Sequence, residues 1–233
     1  VTGPAALTLQ NTGSTHAAVI VSQSGAGDGH NVSANVTLAS PLDVSVAAAA
    51  AVTFSGAIFG AGGLAKIGDG ALTLSGTNTF NGGVTLAAGT LKLGSTTALG
   101  ATAGTFTISG GTLDSTVASL VNANSNSIAI DGDCAFAGTN GLDLGPGAVS
   151  LGAAAGTSRT ITVNAGNLTF GGTISNGATA TTLVKEGNGT LTAAAITTGT
   201  VNHNAGTLHA ASVTSTIFNV YSTANVTGAV SLT

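Results

Sequence analysis

The sequence predicts an all-β chain wound into stacked coils, a β-solenoid whose turns are joined by parallel ladders. Three observations predict it. Short apolar/polar alternations such as Leu72-Thr73-Leu74, Val84-Thr85-Leu86 and Leu91-Lys92-Leu93 have the period of two that marks a strand with one buried face. The segments between them are tight corners, Gly68-Asp69-Gly70, Ser75-Gly76-Thr77-Asn78 and Ala88-Gly89-Thr90, where glycine supplies positive φ and Asn tolerates it. The pattern also recurs about half a chain later. Leu64-Ala65-Lys66-Ile67-Gly68-Asp69-Gly70-Ala71-Leu72-Thr73 returns as Leu183-Val184-Lys185-Glu186-Gly187-Asn188-Gly189-Thr190-Leu191-Thr192. Val52-Thr53-Phe54 returns as Leu168-Thr169-Phe170, and Val44-Ser45-Val46 as Ile161-Thr162-Val163. Two tandem halves of one continuous domain, residues 1–117 and 118–233, are the expected organisation.

In chain order, Val1–Leu9 reads as a first strand, with Pro4 tolerable at an edge. Ala17–Ser22 is an apolar core strand, and Gly25–Asn31 a loop. Val36–Leu38 and Val44–Val46 flank a Ser40-Pro41 turn. Ala47–Ala51 invites a helix, because alanine is the best helix former. Five residues are too few to nucleate one, and the aligned Asn164-Ala165-Gly166-Asn167 reads as a turn. Beyond the central unit lie Thr105–Ser109 and Gly111–Asp114, then a polar loop Asn122–Ser127 at the seam of the halves. Ile128–Ile130, Leu142–Leu144, Val149–Leu151 and Ile161–Val163 continue the second half, and Val213–Tyr221 and Val226–Leu232 end it. Phe54, Phe80 and Phe170 fit as core filling, and Asn78 fits as a corner residue that satisfies neighbouring backbone groups.

The stretch Gly62–Leu91 carries the run G-x-L-x-K-x-G-x-G-x-L-T-L-S-G-x-N-T-F-x-G-G and then G-T-L. It resembles the autotransporter-associated β-strand repeat, also called the passenger-associated transport repeat. Leu183–Leu208 is a degenerate copy without the S-G-x-N-T-F core. The resemblance implies a single right-handed parallel β-helix at the bacterial cell surface or outside the cell, and it implies no catalytic residues. With about 20–25 residues per coil, about ten rungs are expected. The structural corners it marks are Gly68, Asp69, Gly70, Asn78, Gly82, Gly83, Gly187, Asn188 and Gly189.

Composition narrows the function classes. Charged residues make up 5% of the 233, aromatics 3%, and Met and Trp are absent; an ordinary globular chain has about 25% charged residues. The net charge is −4 and the cations are Lys66, Lys92, Arg159 and Lys185, so there is no basic patch for nucleic acid. No apolar run approaches the ~18 residues of a membrane helix. No signal peptide is visible, so numbering is expected to begin after processing. Cys134 is the one cysteine, which suits a chain that crosses an oxidising periplasm. No cofactor is expected.

Candidate chemistry is sparse. Asp131-Gly132-Asp133 offers two oxygen donors to Ca²⁺, but two carboxylates without a third read better as a polar corner. Gly25–Asn31 and Gly60–Gly63 echo a calcium-binding nonapeptide without its tandem repetition. Asp69 beside Lys66 and Glu186 beside Lys185 recur at equivalent repeat positions, which marks corners and not a catalytic pair. His203 and His209 read as exposed, separated by the Ala205-Gly206 turn. The sequons at Asn31, Asn35, Asn167, Asn188 and Asn225 are expected by chance in a chain this rich in Asn and Thr.

The two tips suggest assembly. Residues 1–27 and 187–233 contain no Asp, Glu, Lys or Arg, and Val1–Thr8 resembles Val226–Thr233. Solenoid ends need capping, and uncharged, similar tips suit head-to-tail stacking through Val1, Leu7, Leu9, Val226, Val230 and Leu232. The expected function is therefore a non-enzymatic extracellular filament or matrix subunit whose main partner is itself, with other cells or matrix polysaccharide as further partners. An adhesin passenger fragment is the alternative reading. A carbohydrate-active β-helix enzyme is the third.

Overall fold

A computed structural model describes residues 7–9, 16–21, 29–152, 157–177 and 179–233. Among these, the chain forms twenty-eight short strands and no helix, and every strand pairing is parallel. The strands stack on three faces that the chain visits in a fixed cycle. The first face begins with Leu7–Leu9, Val36–Leu38 and Ile58–Gly60, the second with Ala17–Val21, Leu42–Val46 and Leu64–Ile67, and the third with Gly29–Val32, Ala51–Phe54 and Ala71–Leu74. The third face is a ten-stranded sheet, one strand per turn. In the second half the first and second faces merge, because Asn167–Ser175 and Thr190–Thr197 run continuously around the edge between them, with a register shift between Phe170 and Thr173. The fold is thus the parallel β-solenoid that the alternation implied.

In-register pairing stacks like on like. On the second face the inward column runs Leu42, Leu64, Val84, Phe106, Ile128, Val149, Ile174, Ile196 and Val213. All nine are buried. Burying each such side chain is worth about 1.5–3 kcal/mol relative to leaving it in water, so the core is a set of apolar columns running the length of the rod. Phe54, Phe80 and Phe170 are core residues as expected. The ladders cross residues 117 and 118 unbroken, since Phe106–Ile108 pairs with Ile128–Ile130 and Thr112-Leu113 pairs with Ala135-Phe136.

The two sequence copies do not stand directly above one another. Lys66 lies on the second face, and its Gly68-Asp69-Gly70 corner turns into the third. Lys185 lies on the third face, and its Gly187-Asn188-Gly189 corner turns into the first. Val44 and Ile161 differ by the same one-face step, as do Phe54 and Phe170. The repeat spacing is therefore not a whole number of turns, and one motif builds two different corners of the prism.

Three local expectations differ from the structure. Gly25–Asn31 is not wholly a loop, because Gly29–Val32 forms the first strand of the third face, paired with Ala51–Phe54; the neighbouring rung supplies a ladder that the Gly-rich sequence does not advertise. Residues 22–28, which include the first part of Gly25–Asn31, lie outside the described residues. Val213–Tyr221 divides into Val213–Ser215 and Ile217–Val220, because the chain turns from the second face to the third at Thr216. Asn122–Ser127 is an irregular polar loop as expected, with Ala123, Ser125 and Ser127 exposed, but two of its asparagines turn inward. Asn122 and Asn126 are buried. Asn126 Nδ2 donates to Ala101 O at 2.7 Å and Gly104 O at 2.9 Å, Asn124 Nδ2 to Gly100 O at 2.5 Å, and Asn122 Nδ2 to the Asn124 carbonyl and to Leu144 O at 3.3 Å. These amides replace ladder bonds that the irregular segment 95–104 cannot make.

Ala47–Ala51 forms no helix. Ala49 takes φ +64° at the corner where the aligned Gly166 has φ +63°. A Cβ in the left-handed region costs about 1–2 kcal/mol, and glycine gives back part of that gain through its freer unfolded chain. Ala49→Gly is expected to raise stability by about 0.5–1 kcal/mol, read as a higher urea midpoint at unchanged slope.

Candidate functional site

The alternation places Lys66 where a core residue belongs. Leu64 and Lys66 both point inward, and Lys66 occupies a column that continues as Val44, Leu86, Ile108 and Ile130. Its side chain is 0% exposed. The charge is tolerated because the corner supplies carbonyl oxygens. Lys66 Nζ donates to Ile67 O at 2.9 Å and Gly68 O at 2.6 Å in its own turn, and to Ala88 O at 3.1 Å in the next. An ammonium has three donors and no acceptor, so all three are used.

Lys185 repeats the arrangement at its own corner. It is 0% exposed and donates to Glu186 O at 2.8 Å, Gly187 O at 2.8 Å and Ala205 O at 2.9 Å. The third acceptor again belongs to the next turn. Each lysine is therefore a staple between consecutive rungs. Glycine is needed at both levels: φ is +73° at Gly68 and +67° at Gly89, and +76° at Gly187 and +70° at Gly206. A Cβ on Gly89 would sit 2.5 Å from Gly70 O and 2.7 Å from Lys66 Nζ.

Burial lowers both amines from 10.5 to about 8, with Asp69 and Glu186 pulling the other way. At neutral pH the ammonium form still dominates and fills all three bonds. Asp69 is exposed at the tip of its corner and closes no ion pair with Lys66, and the neutral Asn188 is exposed at the matching tip. Arg159 is a third buried cation, its Nε donating to Ile130 O at 3.0 Å and a guanidinium NH₂ to Ser158 O at 3.0 Å. Lys92, with its side chain 39% exposed and 4.0 Å from Asp114, is the lysine that faces outward.

The other predicted residues fall as follows. Asn78 is buried and bridges two turns, accepting from Ile58 N–H at 2.9 Å and donating to Ala98 O at 2.9 Å. Gly83 takes φ +78° where a Cβ would strike Thr105 O, and Gly82 packs against Gly62 and Gly63. Gly70 and Gly189 likewise have neighbours where a Cβ would stand. Asp133 accepts from Thr160 N–H at 2.7 Å, and Asp131 is exposed. No cluster of three or more His, Cys, Asp or Glu occurs among the described residues. Burial pushes the Cys134 thiol up to about 12.

His203 is corrected from an exposed to a buried side chain, while His209 is exposed. His203 stacks directly on Lys185 in the ladder, and its ring bonds Thr223 O through Nε2 at 2.9 Å. Alternation along Thr200–His203 held the signal, since Val201 fixes the inward face. Among the assembly residues, Val230 and Leu232 are exposed on the last turn at 50% and 64%, and Val226 is half-buried. Leu7–Leu9 forms a strand paired with Val36–Leu38, and Val1 lies outside the described residues. A groove of about 320 Å³ runs along the outer second face, lined by Asp43, Ala65, Gly82 and Thr85 among others, with His16 Nδ1 2.9 Å from Asp43 Oδ1.

Residues 64–93 match the family model of the passenger-associated-transport-repeat. The chain carries this repeat. No curated protein and no solved structure matches it. The geometry explains the length of the repeat. One turn spans Leu64 to Val84, and the match runs on to residue 93, far enough to include Ala88, the next-turn acceptor of Lys66. The matched stretch thus holds both ends of the staple, Lys66 and Ala88.

Removing a staple takes the ammonium donor from three part-buried carbonyls, at about 1–3 kcal/mol for an unsatisfied group. Lys66→Met and Lys185→Met should each lower stability by about 2–3 kcal/mol, and Lys92→Met by less than about 0.5 kcal/mol, measured by urea denaturation. The pH dependence follows from the lowered pKa. Between about 8 and 10.5 the unfolded chain keeps protons that the folded lysines have lost, so the contribution of these two groups to stability rises with pH across that window. A ¹³C titration of the lysine side chains should show two of them changing near pH 8, and the double methionine variant should lose that part of the stability rise.

Proposed function

We propose that the chain is a structural solenoid of the bacterial surface or extracellular matrix that builds rods by stacking end to end on copies of itself. The observation that carries this reading is the in-register ladder, in which each rung repeats the pairing of the one before it as far as Ile217–Val220, Thr223–Val226 and Val230–Leu232. A rung of a second copy can continue such a ladder at its edge. A contact of this kind does not close on itself and so propagates. The surface repeat matched at residues 64–93 supports the location.

The placement of the charges supports a non-catalytic role: a lyase or hydrolase sets acids beside a cation at its surface, whereas Lys66, Lys185 and Arg159 point into the fold and bond backbone carbonyls, leaving Lys92 beside Asp114 as the outward-facing cation. The second reading is an adhesive passenger segment touching other cells or matrix polysaccharide; the groove beside Asp43 is the surface that favours it.

Electron microscopy of the purified protein at high concentration tests the assembly reading. Uniform unbranched filaments are expected, and Leu232→Asp, which puts a charge on the stacking edge, should abolish them. Isolated short rods under every condition would rule the filament out and move attention to the lateral groove.

A further inference from the structure

His203 is fully buried at a corner that already holds a cation. Its inward column runs Ile161, Lys185, His203, Val220, and Lys185 Nζ is bonded to Ala205 O, within His203's own corner. The ring reaches forward to the last turn, with Nε2 2.9 Å from Thr223 O, while Nδ1 is buried without a hydrogen-bond partner. Near His203, residues 217–233 are also tied by Tyr221 N–H to His203 O at 2.9 Å, by Ser222 Oγ to Gly206 O at 2.7 Å and by Asn219 Nδ2 to Asn202 Oδ1 at 2.9 Å, with Thr227 N–H to Ala210 O at 3.0 Å and Thr233 N–H to Ser215 O at 3.1 Å farther along and Phe218 and Val226 packed against the core. Most of their side chains are exposed.

We infer that His203 is an acid-sensitive lock between its own turn and the next, holding residues 217–233 when neutral and releasing them when protonated. In the neutral ring a proton on Nε2 serves the Thr223 carbonyl, and the bare Nδ1 faces an apolar interior. A second proton on Nδ1 would place a cation in the interior next to the Lys185 ammonium, with the Gly206 backbone nearby as a partial offset. Other titratable groups nearby do not offset it. Glu186, on the strand that carries Lys185, is turned outward and accepts from Asn204 Nδ2 at 2.6 Å. His209, on the following strand, is exposed, and the strand Ile217–Val220 has no titratable side chain before the exposed Tyr221. Burial is the largest cause holding the ring's pKa below its ordinary value, with Lys185 adding to it, against the backbone bonds to Thr223 and Gly206. The sign is then fixed: the unfolded turn takes up a proton from about pH 6.5 downward while the folded turn refuses it, so stability of this turn is full above that pH and falls below it. The lock sits under the edge proposed above for stacking, but it acts within one chain and stands whether or not copies assemble.

Hydrogen exchange of the intact chain, corrected for the intrinsic pH dependence of exchange, tests it. Amides 217–232 are expected to lose at least tenfold protection between pH 7.5 and pH 5, while those of 64–93 do not. In His203→Gln, whose amide can donate to Thr223 O but takes up no proton, the acid loss should vanish. Unchanged protection in the wild type, or the same acid loss in the variant, would overturn the proposal. If the variant's turn is already unprotected at pH 7.5, the NMR titration of the His203 ring decides. A midpoint coinciding with the loss of protection in the wild type sustains the lock, and a midpoint elsewhere refutes it.

Discussion

The constraint on which the structure depends is the close stacking of one corner on the next. Parallel rungs lie about 4.8 Å apart, so the backbone of each corner presses on the backbone below. Gly68, Gly83, Gly89, Gly187 and Gly206 all stand at positive φ where a Cβ would meet a neighbouring carbonyl. The same approach gathers carbonyl oxygens from two successive turns on the inner side of the corner. A β-ladder satisfies backbone groups along the faces, but at a corner the chain changes direction and some oxygens are left over. The inward lysines answer that surplus. They are costly to bury alone, and they are retained because each completes three bonds at a place where no ladder partner exists.

This logic accounts for an unusual distribution of charge. A chain with so few cations turns Lys66, Arg159 and Lys185 inward, while Asp69, Asp131 and Asp133 remain exposed. Its outer surface is therefore weakly acidic. The buried Asn residues obey the same rule. Asn78 and Asn126 supply amide donors and acceptors where the first face loses its regular strands.

Because every corner poses the same problem, one motif can solve it on any face. The copy around Lys185 uses the third-to-first corner and the copy around Lys66 the second-to-third, and both reproduce the own-turn, own-turn, next-turn set of acceptors. A duplication in such a fold need not insert a whole number of turns to be accommodated, since the three corners are close to equivalent for the backbone.

The strands, the glycine corners, the core phenylalanines and the role of Asn78 were legible in the sequence because each is a local matter. Alternation, positive φ and side-chain size are decided within a few residues. The depth of Lys66, Lys185, His203 and Asn122 was not legible. Each reads as polar and surface-seeking by type, and its alternation phase alone hinted otherwise. What buries them is the turn above and the turn below, about 20 residues away in sequence. Residue by residue, then, the sequence by itself determined that this chain coils, and where it bends. Which corner each copy occupies, and which charges lie inside, only the stacked tertiary structure decided, because the acceptors that pair a buried cation come from a neighbouring rung whose register no local pattern specifies.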